Sequence, residues 1–139
     1  MNLTLSGLDA RDAWARAGIA LPRFDIRAMR AATAEAPAWV HFGAGNIFRG
    51  FVAVLAQRLL AQGLCQTGIV AAETFDFDIV TRIYEPHDNL SLVVGLRADG
   101  GMETGVLASV ASALQTADPA GLAALKALFA APSLQMVSF

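Results

Sequence analysis

The chain has 139 residues, 55% hydrophobic and 16% charged, a length that fits one domain with a sizeable core and a composition that excludes disorder over most of it. Ten basic against twelve acidic side chains give a net charge of −2, and the only basic grouping is a thin N-terminal scatter (Arg11, Arg16, Arg23, Arg27, Arg30), which argues against a nucleic-acid partner. Apolar runs fall far short of the ~20 residues a membrane span needs, the opening MNLTLSGLDARD is no signal peptide because acids precede any apolar core, and the chain reads as cytoplasmic with no membrane partner.

Residues 1–37 read as an N-terminal arm laid over the domain rather than as part of a sheet. A short helix is expected around Asp9 to Ala17, Gly18 and Pro22 punctuate the stretch after it, and the periodicity is weak. From Ala38 the pattern sharpens, and residues 38–139 read as the domain proper. Ala38 to Phe42 is a short apolar run ending in glycines, hence a buried strand. Ile47 to Leu60 is amphipathic and helix-favouring, and Gly63 stops it. Thr67 to Ala72 is the next β-branched run, so strand, helix and strand succeed one another within roughly thirty residues as a right-handed βαβ unit with parallel strands.

Asp76 to Tyr84 is expected to form a short helix ended by Pro86. Two β-rich runs, Leu90 to Leu96 and Val106 to Val110, flank Asp99-Gly100-Gly101, whose turn chemistry predicts a hairpin. Asp118 is placed to cap a helix with Pro119 at its first position, Leu122 to Phe129 has helical spacing, Pro132 ends it, and LQMVSF begins another strand. The expected class is α/β, a mostly parallel sheet with a β-hairpin insertion. A hydrophobic strand as the last segment leads us to expect a piece of a longer protein. The single cysteine, Cys65, cannot close an internal disulfide and reads as a small apolar filler.

The stretch WVHFGAGNIFRGF, residues 39–51, carries the chemistry. A strand ending in Gly-x-Gly and feeding a helix suits a pyrophosphate, because glycines allow close backbone approach and the helix start offers unpaired N–H groups with partial positive charge. Gly43 would make the tight turn and Gly45 would let the phosphates lie against the backbone. Phe48 stands where a third glycine would complete the fingerprint; that glycine serves packing, so its loss alters packing more than binding. Asn46 suits a cap or a cofactor contact. Arg49, in the first turn, opposes the helix dipole and so suggests an anion to meet or a neighbouring segment to tie down, a solvated surface arginine being the competing reading. Glu73, 28 residues beyond Gly45, stands where an acid receives the adenosine ribose hydroxyls and prefers NAD to NADP; Asp76 and Asp78 are the other candidates. A tight turn with no ligand remains the competing reading.

HFGAGNIFRGF also resembles the opening motif of the mannitol dehydrogenase family of long-chain polyol and hexuronate dehydrogenases. A looser likeness runs through LPRFD, GIVAAETFDFDIV, YEPHDNLSLVV, VLASVASAL and PSLQMVSF, nearly the whole chain. The resemblance implies a Rossmann-type NAD(H)-binding domain followed by a mostly helical substrate domain, and hydride transfer between nicotinamide and a sugar carbonyl or secondary alcohol without a metal. It implies cofactor contacts at Gly43, Ala44, Gly45, Asn46, Ile47, Phe48 and Arg49, with the Phe48 ring near the nicotinamide end. Phe48 departs from the glycine of the mannitol-phosphate branch, and the wording leans toward hexuronates such as fructuronate ahead of mannitol or fructose.

The family's catalytic lysine, with its Asn and His neighbours, belongs to the second domain and has no match here. Lys126, the sole lysine, reads as a surface residue; His41 as a strand histidine; His87 as a loop residue; Ser91 and Ser109 lack a nucleophile's setting. No catalytic constellation and no metal site are expected in these residues. A stand-alone NAD(H)-binding module without catalysis is the alternative. If a second domain is missing, the apolar surface it would cover predicts self-association of the fragment.

Overall fold

The computed structural model describes residues 1–139 and contains two sheets. The larger has four parallel strands: β2 (Trp39–Phe42), β3 (Ile69–Glu73), β6 (Val110–Gln115) and β7 (Met136–Ser138), in spatial order β6-β3-β2-β7. Numbered along the chain these are third, second, first and fourth, the order of half a doubly wound dinucleotide-binding sheet, in which the first and fourth strands flank the point where winding reverses.

Side chains on β3 alternate between the two faces. Ile69 and Ala71 join a core with Ala53 and Ala56 of helix α3 (Ala53–Ala61), whereas Val70 and Ala72 pack with Leu125 of helix α4 (Pro119–Ala130). A parallel strand buried on both faces has no polar side to show, which is why GIVAA carries no alternation of polarity. α3 ends as expected at Gly63 (φ 68°): Leu64 N–H bonds Leu59 C=O and Gly63 N–H bonds Leu60 C=O, a Schellman pair. Asp118 caps α4 through Ala120 N–H at 3.0 Å, with Pro119 at the first position.

The smaller sheet has the order β1-β5-β4, with β1 at Ile19–Ala20 and with β4 (Ser91–Leu96) and β5 (Met102–Leu107) antiparallel across the Asp99-Gly100-Gly101 turn. The hairpin is therefore present, but the run expected as Val106 to Val110 is divided: β5 ends at Leu107 and Val110 already belongs to β6 in the other sheet. The corner between them has no turn residue. Gln57 of α3 closes it instead, donating to Val106 C=O and accepting from Ala108 N–H, while the buried Ser109 hydroxyl donates to Ala53 C=O.

Residues 1–37 do more than cover the domain. After helix α1 (Arg11–Arg16), strand β1 (Ile19–Ala20) pairs in parallel with β5, so this segment is part of a sheet. Helix α2 (Ile26–Glu35), capped by Asp25, inserts Met29 and Thr33 into the interior, where Thr33 Oγ1 accepts from Gly68 N–H. The helix expected at Asp76 to Tyr84 is a π-helical turn at Val80–Tyr84 followed by a 3-10 turn at Glu85–His87. Pro86 lies within that second turn, where its missing N–H costs nothing; left-handed Asp88 and Asn89 (φ 49° and 56°) end the segment. No helix is long and apolar enough to cross a membrane.

Candidate functional site

Gly43 lies at the C-terminal end of β2 with φ 96°, a conformation that favours glycine, and its N–H bonds Ala72 C=O of β3. The β2–β3 register pairs Phe42 with Ala72, which sets Glu73 beside the glycine turn. Glu73 is 6% exposed, and its carboxylate points into the turn. Oε2 accepts from Ala44 N–H at 2.9 Å, and Oε1 accepts from the N–H groups of Thr74, Phe75 and Asp76 at 3.0, 3.0 and 3.3 Å. Burial alone would raise this acid, but the four backbone N–H groups outweigh it and hold the carboxyl below its usual range.

The other side of Ala44 is tied as firmly. Tyr84 is fully buried and its hydroxyl donates to Ala44 C=O at 2.8 Å. Burial pushes the phenol well above its usual value, with Glu73 adding to the rise and Arg49 opposing it, so it stays a donor. Both polar groups of Ala44 are thus held by side chains of other elements. The residues after it are not: the backbone N–H groups of Gly45, Asn46, Ile47 and Phe48 find no acceptor within the chain. These are the orphan donors of a helix start, and a Cβ built on Gly45 would meet no atom within 4 Å, so room is left beside them.

The side chains divide by direction. Asn46 and Ile47 face outward, and Arg49 Nη2 donates to Asn46 Oδ1 at 2.5 Å with its guanidinium 5.7 Å from the Tyr84 ring centre. Phe48 turns inward, 3% exposed, and stacks on His41 with ring centres 4.3 Å apart, so its ring fills the interior. His41 is 5% exposed, and burial lowers its pKa; its Nδ1 lies 2.8 Å from Ser138 Oγ, which also accepts from Trp39 Nε1. Lys126 is exposed on α4. Tyr84 is the residue that sequence reasoning missed: its partner is 40 positions away, and nothing local marks it.

A glycine turn ending the first strand, open helix-start donors and an acid ending the second strand, all on a sheet of this order, define the first half of a doubly wound dinucleotide-binding domain. A D-mannonate oxidoreductase of Thermotoga maritima is 43% identical over 99% of this chain. Two solved structures share the fold: a D-sorbitol dehydrogenase in substrate-free form (TM-score 0.70, 26% identity, 87% of this chain) and Pseudomonas fluorescens mannitol 2-dehydrogenase in ternary complex with NAD and D-mannitol (TM-score 0.72, 21% identity, 88% of this chain). The chain spans 26% of the first protein's length and 24% of each of the other two. No family model matches it. By these likenesses the chain is similar to part of a sugar-acid oxidoreductase and shares its fold with part of two polyol dehydrogenases.

Proposed function

We propose that this chain is the NAD(H)-binding N-terminal part of an oxidoreductase that transfers hydride between nicotinamide and a sugar carbonyl or secondary alcohol. The observation that carries the reading is the set of unpaired N–H groups at Gly45 to Phe48, placed where the first strand of the sheet meets its helix. These amides would hold the pyrophosphate, Gly43 makes the turn, buried Ala44 anchors it, and Asn46, Ile47 and Arg49 border the cofactor. Phe48 supports it from within. Glu73 Oε2 accepts one hydrogen bond and keeps capacity for a ribose hydroxyl, and a negative charge there favours NAD over NADP.

Bound NAD(H) supplies the carbon that carries the hydride; this chain positions it and contributes no proton-transfer group. A lysine in a helical domain beyond residue 139 would serve as acid and base, so the chain by itself should not turn over substrate. The 43% identity to a mannonate oxidoreductase favours a hexuronate such as fructuronate ahead of mannitol or fructose. A cytoplasmic location completes the proposal, with the cofactor domain built on 38–139 and joined by β1 and α2 of residues 1–37. No observation favours a module without chemistry.

Gly45→Val tests the assignment, because a Cβ built there meets no atom within 4 Å and the fold should survive the change. NADH titration monitored by its fluorescence should show the Kd rising at least tenfold while the circular dichroism and melting curve stay those of the parent. An unchanged Kd in a folded variant would refute the site.

A further inference from the structure

A second feature lies beside the glycine turn. The first helical turn at Asn46, Arg49 and Gly50, the end of the π-helical segment, and the start of β4 enclose a hollow of about 370 Å³, within the size range of small-molecule sites. Its polar lining is Asn46, Arg49, His87 and Ser91, and no aspartate or glutamate borders it.

Arg49 is the decisive group. The chain's two ion pairs engage Arg82 and Arg97, leaving Arg49 with no carboxylate partner. Its position is nevertheless fixed, by Asn46 Oδ1 on one side and the Tyr84 ring on the other. A guanidinium carries five N–H donors, and the bond to Asn46 engages one of them. The cation also sits in the first turn of a helix, where the backbone dipole adds positive potential rather than relieving it. A held cation, a positive helix start, an imidazole and a hydroxyl around a hollow without acids make an arrangement that an anion would stabilise.

We propose that this hollow is an anion subsite that takes one carboxylate or phosphate group, with Arg49 as the charged anchor and His87 and Ser91 as flanking donors. The proposal rests on the dinucleotide reading for the identity of the anion, which is either the carboxylate of a sugar-acid substrate or a phosphate of the cofactor. It gives functions to His87 and Ser91, which lie outside the glycine motif.

The test tracks the Arg49 Nε–H and His87 ring resonances by NMR in the 139-residue chain. Sodium D-mannonate and D-mannitol, which differ in one terminal carboxylate, are titrated into the chain saturated with NADH, and NADH is titrated into Arg49→Met. A saturable His87 response to mannonate but not to mannitol, weakened at least tenfold in Arg49→Met likewise saturated with NADH, assigns the subsite to the sugar acid. A response of both resonances to NADH itself, with NADH affinity lowered at least tenfold in the variant, assigns it to the cofactor's phosphate. Equal responses to mannonate and mannitol, or an Arg49→Met variant that binds every probe like the parent, overturn the proposal. Failure of the parent to bind NADH at all would instead sink the dinucleotide reading, and the subsite would then stand or fall on mannonate and inorganic phosphate titrated into the free chain.

Discussion

Replacing Tyr84 by phenylalanine removes one oxygen and leaves the ring, its packing and its contact with Arg49. What is lost is the 2.8 Å hydrogen bond to Ala44 C=O, the sole hydrogen bond that carbonyl accepts within the chain. Ala44 is 0% exposed, so water cannot substitute. Leaving a buried acceptor unsatisfied costs about 1–3 kcal/mol. With a urea dependence of about 2 kcal/mol per molar, the unfolding midpoint should fall by about 0.5–1.5 M with an unchanged slope. NADH affinity should fall as well, because the turn that aims the donors at Gly45 to Phe48 has lost one of its two tethers. The assay is urea unfolding monitored by circular dichroism, with NADH titration in parallel. A midpoint within 0.2 M of the parent, roughly 0.4 kcal/mol on the same slope, would refute the claim that this hydroxyl holds the turn.

Glu73→Gln should destabilise the protein at neutral pH, because an amide cannot serve as acceptor to N–H groups at both of its ends. The folded carboxyl lies below its unfolded value of 4.5, so its stabilisation is complete above that pH and disappears as pH falls through the folded value; the gap between parent and variant, measured by urea unfolding from pH 7 downward, should close in that window. Ile47, Phe51, Leu55 and Leu59 recur every four residues and are 84, 62, 42 and 42% exposed, an open apolar ridge along one helix face. The chain should therefore elute from size exclusion larger than a monomer at high concentration, and Phe51→Glu with Leu55→Glu should restore the monomer without lowering the melting temperature; no change in elution would show that another surface is responsible.

Much of this was legible in the residues because the signals are local. Gly43 and Gly45 after an apolar run, Gly63 at a helix end and Asp118-Pro119 at a helix start each impose a backbone state on their immediate neighbours, and each is found where the sequence predicts it. β6 was not separable from the hairpin because the chain passes from one sheet to the other through Ala108 and Ser109 without a glycine, proline or charge; the corner is stabilised by Gln57, some fifty positions earlier. α2 was hidden by its alanines: only Met29 and Thr33 are buried, too few to print a periodicity, although the Asp25 cap was there to be read. The Glu73 position was legible from its place directly after the apolar run GIVAA, but the inward turn of its carboxylate depends on the Phe42–Ala72 register, which no local pattern reveals.

Ala44, held at both its N–H and its C=O, has a thermodynamic consequence. Ordering one residue's backbone costs about 1–2 kcal/mol, and at this turn that cost falls on folding rather than on the arrival of a ligand. A phosphate therefore meets donors already in place, and its binding should be accompanied by little loss of chain entropy and little movement of the main chain.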